Sequence, residues 1–107
     1  MLSNFNVITL FPEIFQNWIN VGVLSHGIEE KLFEFSSTNL RDYGIGSYKQ
    51  VDDAPYGGGP GMVLMVEPLD NAIKESKKDI NIFLTPSGQQ LNEDLIQDLH
   101  GYESANI

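Results

Sequence analysis

Two nearly uninterrupted apolar runs, Asn6–Leu10 (NVITL) and Ile80–Leu84 (INIFL), set the terms on which this chain can fold. Runs of this length without polar alternation read as strands covered on both faces, the signature of a parallel sheet. After the first run, Pro12 opens a helix at its first position, and Ile14, Phe15, Trp18 and Ile19 repeat at helical spacing. Gly22 punctuates, and Val23, Leu24, Ile28 and Leu32 mark a second short helix. Leu32–Ser37 (LFEFSS) nearly alternates and gives another strand. Pro68 opens a helix carrying Leu69, Ala72 and Ile73, and the last helix has Asn92 as its N-cap and Gly101 as its stop. The order β, α, α, β, long loop, α, β, α predicts an α/β fold, a parallel sheet with helices on both faces.

With 107 residues the chain holds one domain at most. Glu103–Ile107 follows a helix stop and reads as the approach to a further strand beyond the last residue. A parallel sheet cut there would leave an unpaired edge and an uncovered apolar face, so the expectation is the front part of something longer. No apolar run approaches a membrane span, and the N-terminus lacks a basic region followed by an apolar one. The absence of cysteine removes disulfides, thiolate nucleophiles and cysteine-ligated zinc, and suits a cytoplasmic, unexported protein. A formal charge of −9 gives no general electrostatic footprint for nucleic acid. The one basic cluster, Lys74, Lys77 and Lys78, is expected at a helix C-terminus, complementing the helix dipole.

Between Asn39 and Met62 the periodicity vanishes, and six of the ten glycines fall there. Four of them occupy positions 57 to 61, inside Val51–Met65 (VDDAPYGGGPGMVLM). Such a loop adopts positive φ and can offer backbone N–H groups to an anion or a flat ring. It is neither a P-loop, since no Lys-Ser or Lys-Thr follows, nor a dinucleotide fingerprint. Asp52 and Asp53 offer acceptors to a metal or a base edge, or are simply solvated. Tyr56 stacks on a base or packs under its own loop. A second candidate is Phe83–Gly88 (FLTPSG), a turn at the carboxyl end of a buried strand, where open α/β sheets bind ligands. His26 and His100 lack partners at metal or triad spacing, and Ser25 lacks a nucleophile context, so no metal site is expected.

These residues together resemble the bacterial tRNA (guanine-N1)-methyltransferases, a SPOUT-class family. The resemblance runs through VITLFPEIF (Val7–Phe15), GVL (Gly22–Leu24), Arg41-Asp42-Tyr43, VDDAPYGGGPGM (Val51–Met62), EPLDNAI (Glu67–Ile73) and LTPSGQQL (Leu84–Leu91). The chain departs from the family at Ser25-His26, Asn39-Leu40 and Tyr48-Lys49, and has Thr85 and Ser87 in the donor turn. The resemblance implies methyl transfer from S-adenosylmethionine to N1 of the guanine next to the tRNA anticodon, by a cytoplasmic homodimer with a trefoil knot. Residues 1–107 would be the N-terminal part of the donor-binding domain, with the later knot segment and a tRNA-binding domain outside this chain. Leu84, Thr85, Pro86, Ser87 and Gly88 would hold the donor. Asp52, Tyr56, Gly57, Gly58, Gly59, Pro60 and Gly61 would meet the guanine, and the general base would lie beyond Ile107. Two other readings stay open: a stand-alone nucleotide-binding or dimerisation module, and a different α/β enzyme such as a phosphate-ester hydrolase.

Overall fold

A computed structural model describes all residues, Met1–Ile107. Strand β1 (Asn4–Thr9) is followed by α1 (Pro12–Trp18), α2 (Gly22–Glu29) and β2 (Glu34–Asn39). A single 3₁₀ turn (Leu40–Tyr43) leads to a two-stranded hairpin, β3 (Asp52–Asp53) and β4 (Val63–Leu64). The chain continues through α3 (Val66–Ser76), β5 (Ile80–Asn81), α4 (Glu93–Leu99) and β6 (Ser104–Asn106). The main sheet is parallel throughout, in the order β2-β1-β6-β5.

Alternation along β1 assigns the two faces. Phe5 is level with Phe35 of β2, and Phe35 stacks on Phe15 of α1 with ring centroids 6.1 Å apart, so α1 covers this face. Phe33 meets Phe5 edge-on at 6.2 Å. Ile8 points the other way and packs against the buried trio Leu40, Val51 and Ala72, with Ala72 supplied by α3. Helices therefore lie on both faces, as expected.

Local signals placed most helix ends. Asn92 accepts from the Leu95 N–H at 2.9 Å, satisfying a donor the helix leaves free. Helix α3 begins two residues before Pro68, which sits in the first turn, where its missing N–H is not needed. It ends at Lys77 in a left-handed conformation, φ 41°. The lysines do gather at that end. Lys74 Nζ lies 2.7 Å from Asp70 Oδ2, a side-chain hydrogen bond that raises the ammonium's pKa, and Lys78 Nζ donates to Asn4 Oδ1 at 3.0 Å.

Two expectations need correction. Residues 104–106 are not the approach to an absent strand: they are strand β6 itself, in the middle of the sheet and bonded on both sides, so the free edges belong to β2 and β5. The second apolar run forms a strand only over Ile80–Asn81. The Ile82 N–H still reaches Asn106 O at 2.7 Å, but β5 is an edge whose one neighbour bonds it no further, and Phe83 and Leu84 are each 76% exposed. The Asn39–Met62 loop carries more order than its composition suggests, because Val51 is buried at its centre and its carbonyl accepts from the Met65 N–H at 2.7 Å.

Candidate functional site

Hairpin β3–β4 presents the glycine segment. Asp52 pairs with Leu64 and Asp53 with Val63, so the two carboxylates point to opposite sides. Asp53 Oδ1 accepts from the Ala54 N–H at 2.7 Å and is thereby occupied in shaping its own loop. Asp52 is half-buried; its backbone carbonyl accepts from Gln50 Nε2 at 2.9 Å, while its carboxylate has no partner in the chain. Gly57, Gly58, Gly59 and Gly61 have φ of 82°, 90°, 113° and 85°. A Cβ built on any of them meets nothing within 4 Å, so glycine is required there by backbone conformation and not by space. Tyr56 is fully exposed rather than packed under the loop, and Pro60 beside it is exposed too. The ring is therefore available for stacking.

The Leu84–Gly88 turn leaves the sheet at the carboxyl end of β5. Gly88 N–H donates to Thr85 O at 3.1 Å, and the Thr85 and Ser87 hydroxyls lie 3.2 Å apart. An added Cβ at Gly88 would meet Thr85 O at 3.3 Å and Thr85 Cγ2 at 3.4 Å. To admit alanine the Thr85 carbonyl must give by a few tenths of an ångström, and a branched side chain adds bulk at the same place.

An apolar cavity of about 790 Å³ opens along the sheet, from Phe5 and Phe33 at the amino ends of β1 and β2, past Phe15 and Trp18 of α1, to the carboxyl ends of the strands. Thr9, Ile82, Leu84 and Ile107 line it from the sheet side, and Leu64 reaches it from the arm that carries the glycine loop. Thus one cavity joins the base of the turn to the base of the hairpin. Thr85, Pro86, Ser87 and Gly88 lie outside its lining, as do Asp52, Tyr56, Gly57–Gly59, Pro60 and Gly61. Behind the hairpin, the 3₁₀ turn holds Tyr43 against the core, where burial and then the Glu75 and Asp42 carboxylates raise the phenol's pKa. His26 Nε2 lies 3.9 Å from Glu30 Oε1, and His100 Nδ1 accepts from the Leu2 N–H at 3.3 Å.

Sequence reasoning missed a set of buried polar side chains. Asn6 and Asn106 are 3% and 2% exposed, and they bond to each other across β1 and β6. The signal was present in NVITL as an asparagine inside a run read as apolar on both faces.

Residues 3–105 match the family described as "tRNA (Guanine-1)-methyltransferase TrmD". The chain is similar to a "tRNA (guanine-N(1)-)-methyltransferase" of Spiroplasma kunkelii, 45% identical over 98 residues that make up 90% of this chain and 37% of that protein. A protein of the same description from Buchnera aphidicola is 41% identical over 99 residues, covering 89% of this chain and 42% of its own length. The solved structure "Crystal structure of tRNA (m1G37) methyltransferase from Aquifex aeolicus" superposes with a TM-score of 0.80 at 33% identity, over all of this chain and 50% of that one. The chain thus spans about two fifths of the length of the curated relatives it matches.

Proposed function

Since the chain belongs to the tRNA (guanine-1)-methyltransferase family TrmD, we propose that it forms the donor- and guanine-binding front part of a longer enzyme that methylates N1 of guanine 37 in tRNA. The observation that carries the proposal is that one apolar cavity reaches the carboxyl ends of the parallel strands, where Leu84 of one candidate segment and Leu64 from the arm of the other both line it. S-adenosylmethionine, when bound, supplies a methyl group activated on sulfonium sulfur.

The residues present fit the adenosyl end of such a donor. Phe83 and Leu84 offer apolar surface, and the exposed backbone of Thr85–Gly88 offers the polar edge that an adenine ring needs. The cavity lining is almost wholly apolar, so groups that pair with the amino-acid end come from elsewhere in the enzyme. The glycine backbone of 57 to 61 lets a guanine approach closely, Tyr56 provides a stacking face, and the free Asp52 carboxylate accepts from a guanine edge. In this reading these residues contribute positioning, and the base that takes the N1 proton lies in another part of the enzyme. The same reading carries a cytoplasmic homodimer with shared sites and a knotted continuation of this domain. Exposed Phe11, Ile14 and Trp18 on and beside α1 support a further covering surface.

Gly88 tests the donor assignment. In the full-length protein Gly88→Val weakens S-adenosylmethionine binding about tenfold or more by calorimetry, a loss of roughly 1.4 kcal/mol, while Gly88→Ala binds nearly as the parent does. Unchanged affinity in a folded Gly88→Val protein removes the turn from the donor site.

A further inference from the structure

One polar side chain from each strand lies in a single row across the whole main sheet. Asn81 of β5 is level with Asn106 of β6, Asn106 with Asn6 of β1, and Asn6 with Ser36 of β2. Asn106 Nδ2 donates to Asn81 Oδ1 at 3.0 Å, and Asn6 Nδ2 donates to Asn106 Oδ1 at 2.9 Å. Asn6 Oδ1 accepts from the Ser36 hydroxyl at 2.9 Å and the Thr38 hydroxyl at 3.1 Å. Helix α3 joins the row through Ser76, whose Oγ lies 3.3 Å from Asn6 Nδ2. No buried side-chain polar atom in the chain lacks a partner.

The row matters because β6 has little else to fix it. The strand has three residues, and its only buried apolar side chain is the small Ala105. A slip by one residue would exchange Ala105 and Asn106 between faces and put an amide against the side of Phe5, which the inside-outside pattern forbids. A slip by two residues keeps every side chain on its face, so burial alone does not exclude it. That slip would take the buried Asn106 amide away from both Asn6 and Asn81, while Asn6 keeps Ser36, Thr38 and Ser76, and an unpaired buried amide costs more than a made bond contributes. A second polar clamp stands at the strand's entry, where Asp79 Oδ2 accepts from the Glu103 and Ser104 N–H groups at 3.0 and 3.2 Å.

We propose that this amide row is a register lock for β6. Asn6 and Asn106 are then positioning residues. By fixing β6 between β1 and β5 they hold Thr9, Ile107 and the Ile82–Gly88 segment level with one another at the mouth of the cavity, whatever ligand enters it.

Three isoleucine N–H groups report the register directly: Ile8 donates to Ile107 O, Ile107 to Asn6 O and Ile82 to Asn106 O, at 2.8, 2.8 and 2.7 Å. In full-length protein labelled with ¹⁵N-isoleucine, the double replacement Asn6→Leu with Asn106→Leu should keep a folded sheet, since an apolar pair replaces a satisfied polar pair. It should nevertheless give two signals for each of these isoleucines and speed their hydrogen exchange about tenfold or more. One signal apiece with parental exchange in the folded double variant overturns the lock. Asn81→Ala, at an exposed edge position, decides the matter if the double variant does not fold. The proposal requires faster exchange at Ile82 with Ile8 and Ile107 unchanged, and no change at Ile82 contradicts it.

Discussion

Replacing Asp52 with alanine in the full-length protein lowers methyl transfer to tRNA about tenfold to a hundredfold, the loss expected when a base contact of roughly 1–3 kcal/mol is removed. Donor affinity stays near the parental value, because Asp52 is not among the residues that line the cavity Leu84 reaches. The neighbouring carboxylate behaves differently. Asp53 points to the other side of the hairpin and already accepts from the Ala54 N–H, so Asp53→Ala loosens the loop by about 1 kcal/mol and costs little methylation. Assaying both variants side by side, for methyl transfer under single-turnover conditions and for donor binding by calorimetry, separates the two roles. Equal and small effects would mean that Asp52 is a solvated loop residue, and its part in guanine recognition would be dropped.

Residues 1–107 expressed alone do not give a monomer with a sharp unfolding transition. Only 10 of 107 residues are buried, while Val23, Phe83, Leu84 and Leu32 are 88%, 76%, 76% and 66% exposed. Each large apolar side chain left in water forgoes about 1.5–3 kcal/mol, and a few such losses equal the whole stability of an ordinary domain, about 5–15 kcal/mol. Circular dichroism during a thermal or urea ramp, paired with sedimentation, should show broad unfolding or self-association. A steep, reversible transition from a monomeric sample would show that these faces need no covering.

Features encoded within a few residues of one another were legible in the sequence. The NVITL run announced a strand covered on both sides, Asn92 announced a helix start, and Pro12 announced another. The parallel sheet followed from the order of these elements. Strand β6 was not legible, because three residues carry no periodicity and its pairing with β1 joins positions about a hundred apart in the chain. Asn6 was misjudged for the same reason, since its partner Asn106 is equally remote. The glycine loop stood out by composition, and its positive φ values follow from that composition. Whether Tyr56 lies under the loop or stands clear of it depends on packing that composition does not encode. Likewise, only the three-dimensional arrangement shows that Leu64 and Leu84 meet at one cavity while the glycines stand outside its lining.

As the front part of a longer enzyme of its family, this chain would serve to put a methyl group on N1 of guanine in tRNA. The most direct measurement incubates the full-length protein with S-adenosylmethionine carrying a labelled methyl group and with tRNA bearing guanine next to the anticodon. The RNA is then digested and its nucleosides are identified by mass spectrometry. One labelled 1-methylguanosine per tRNA is expected, located at that position and absent when the guanine is replaced by adenine. A folded protein that binds the donor yet leaves guanine N1 unmethylated, or places the label on another atom, would contradict it.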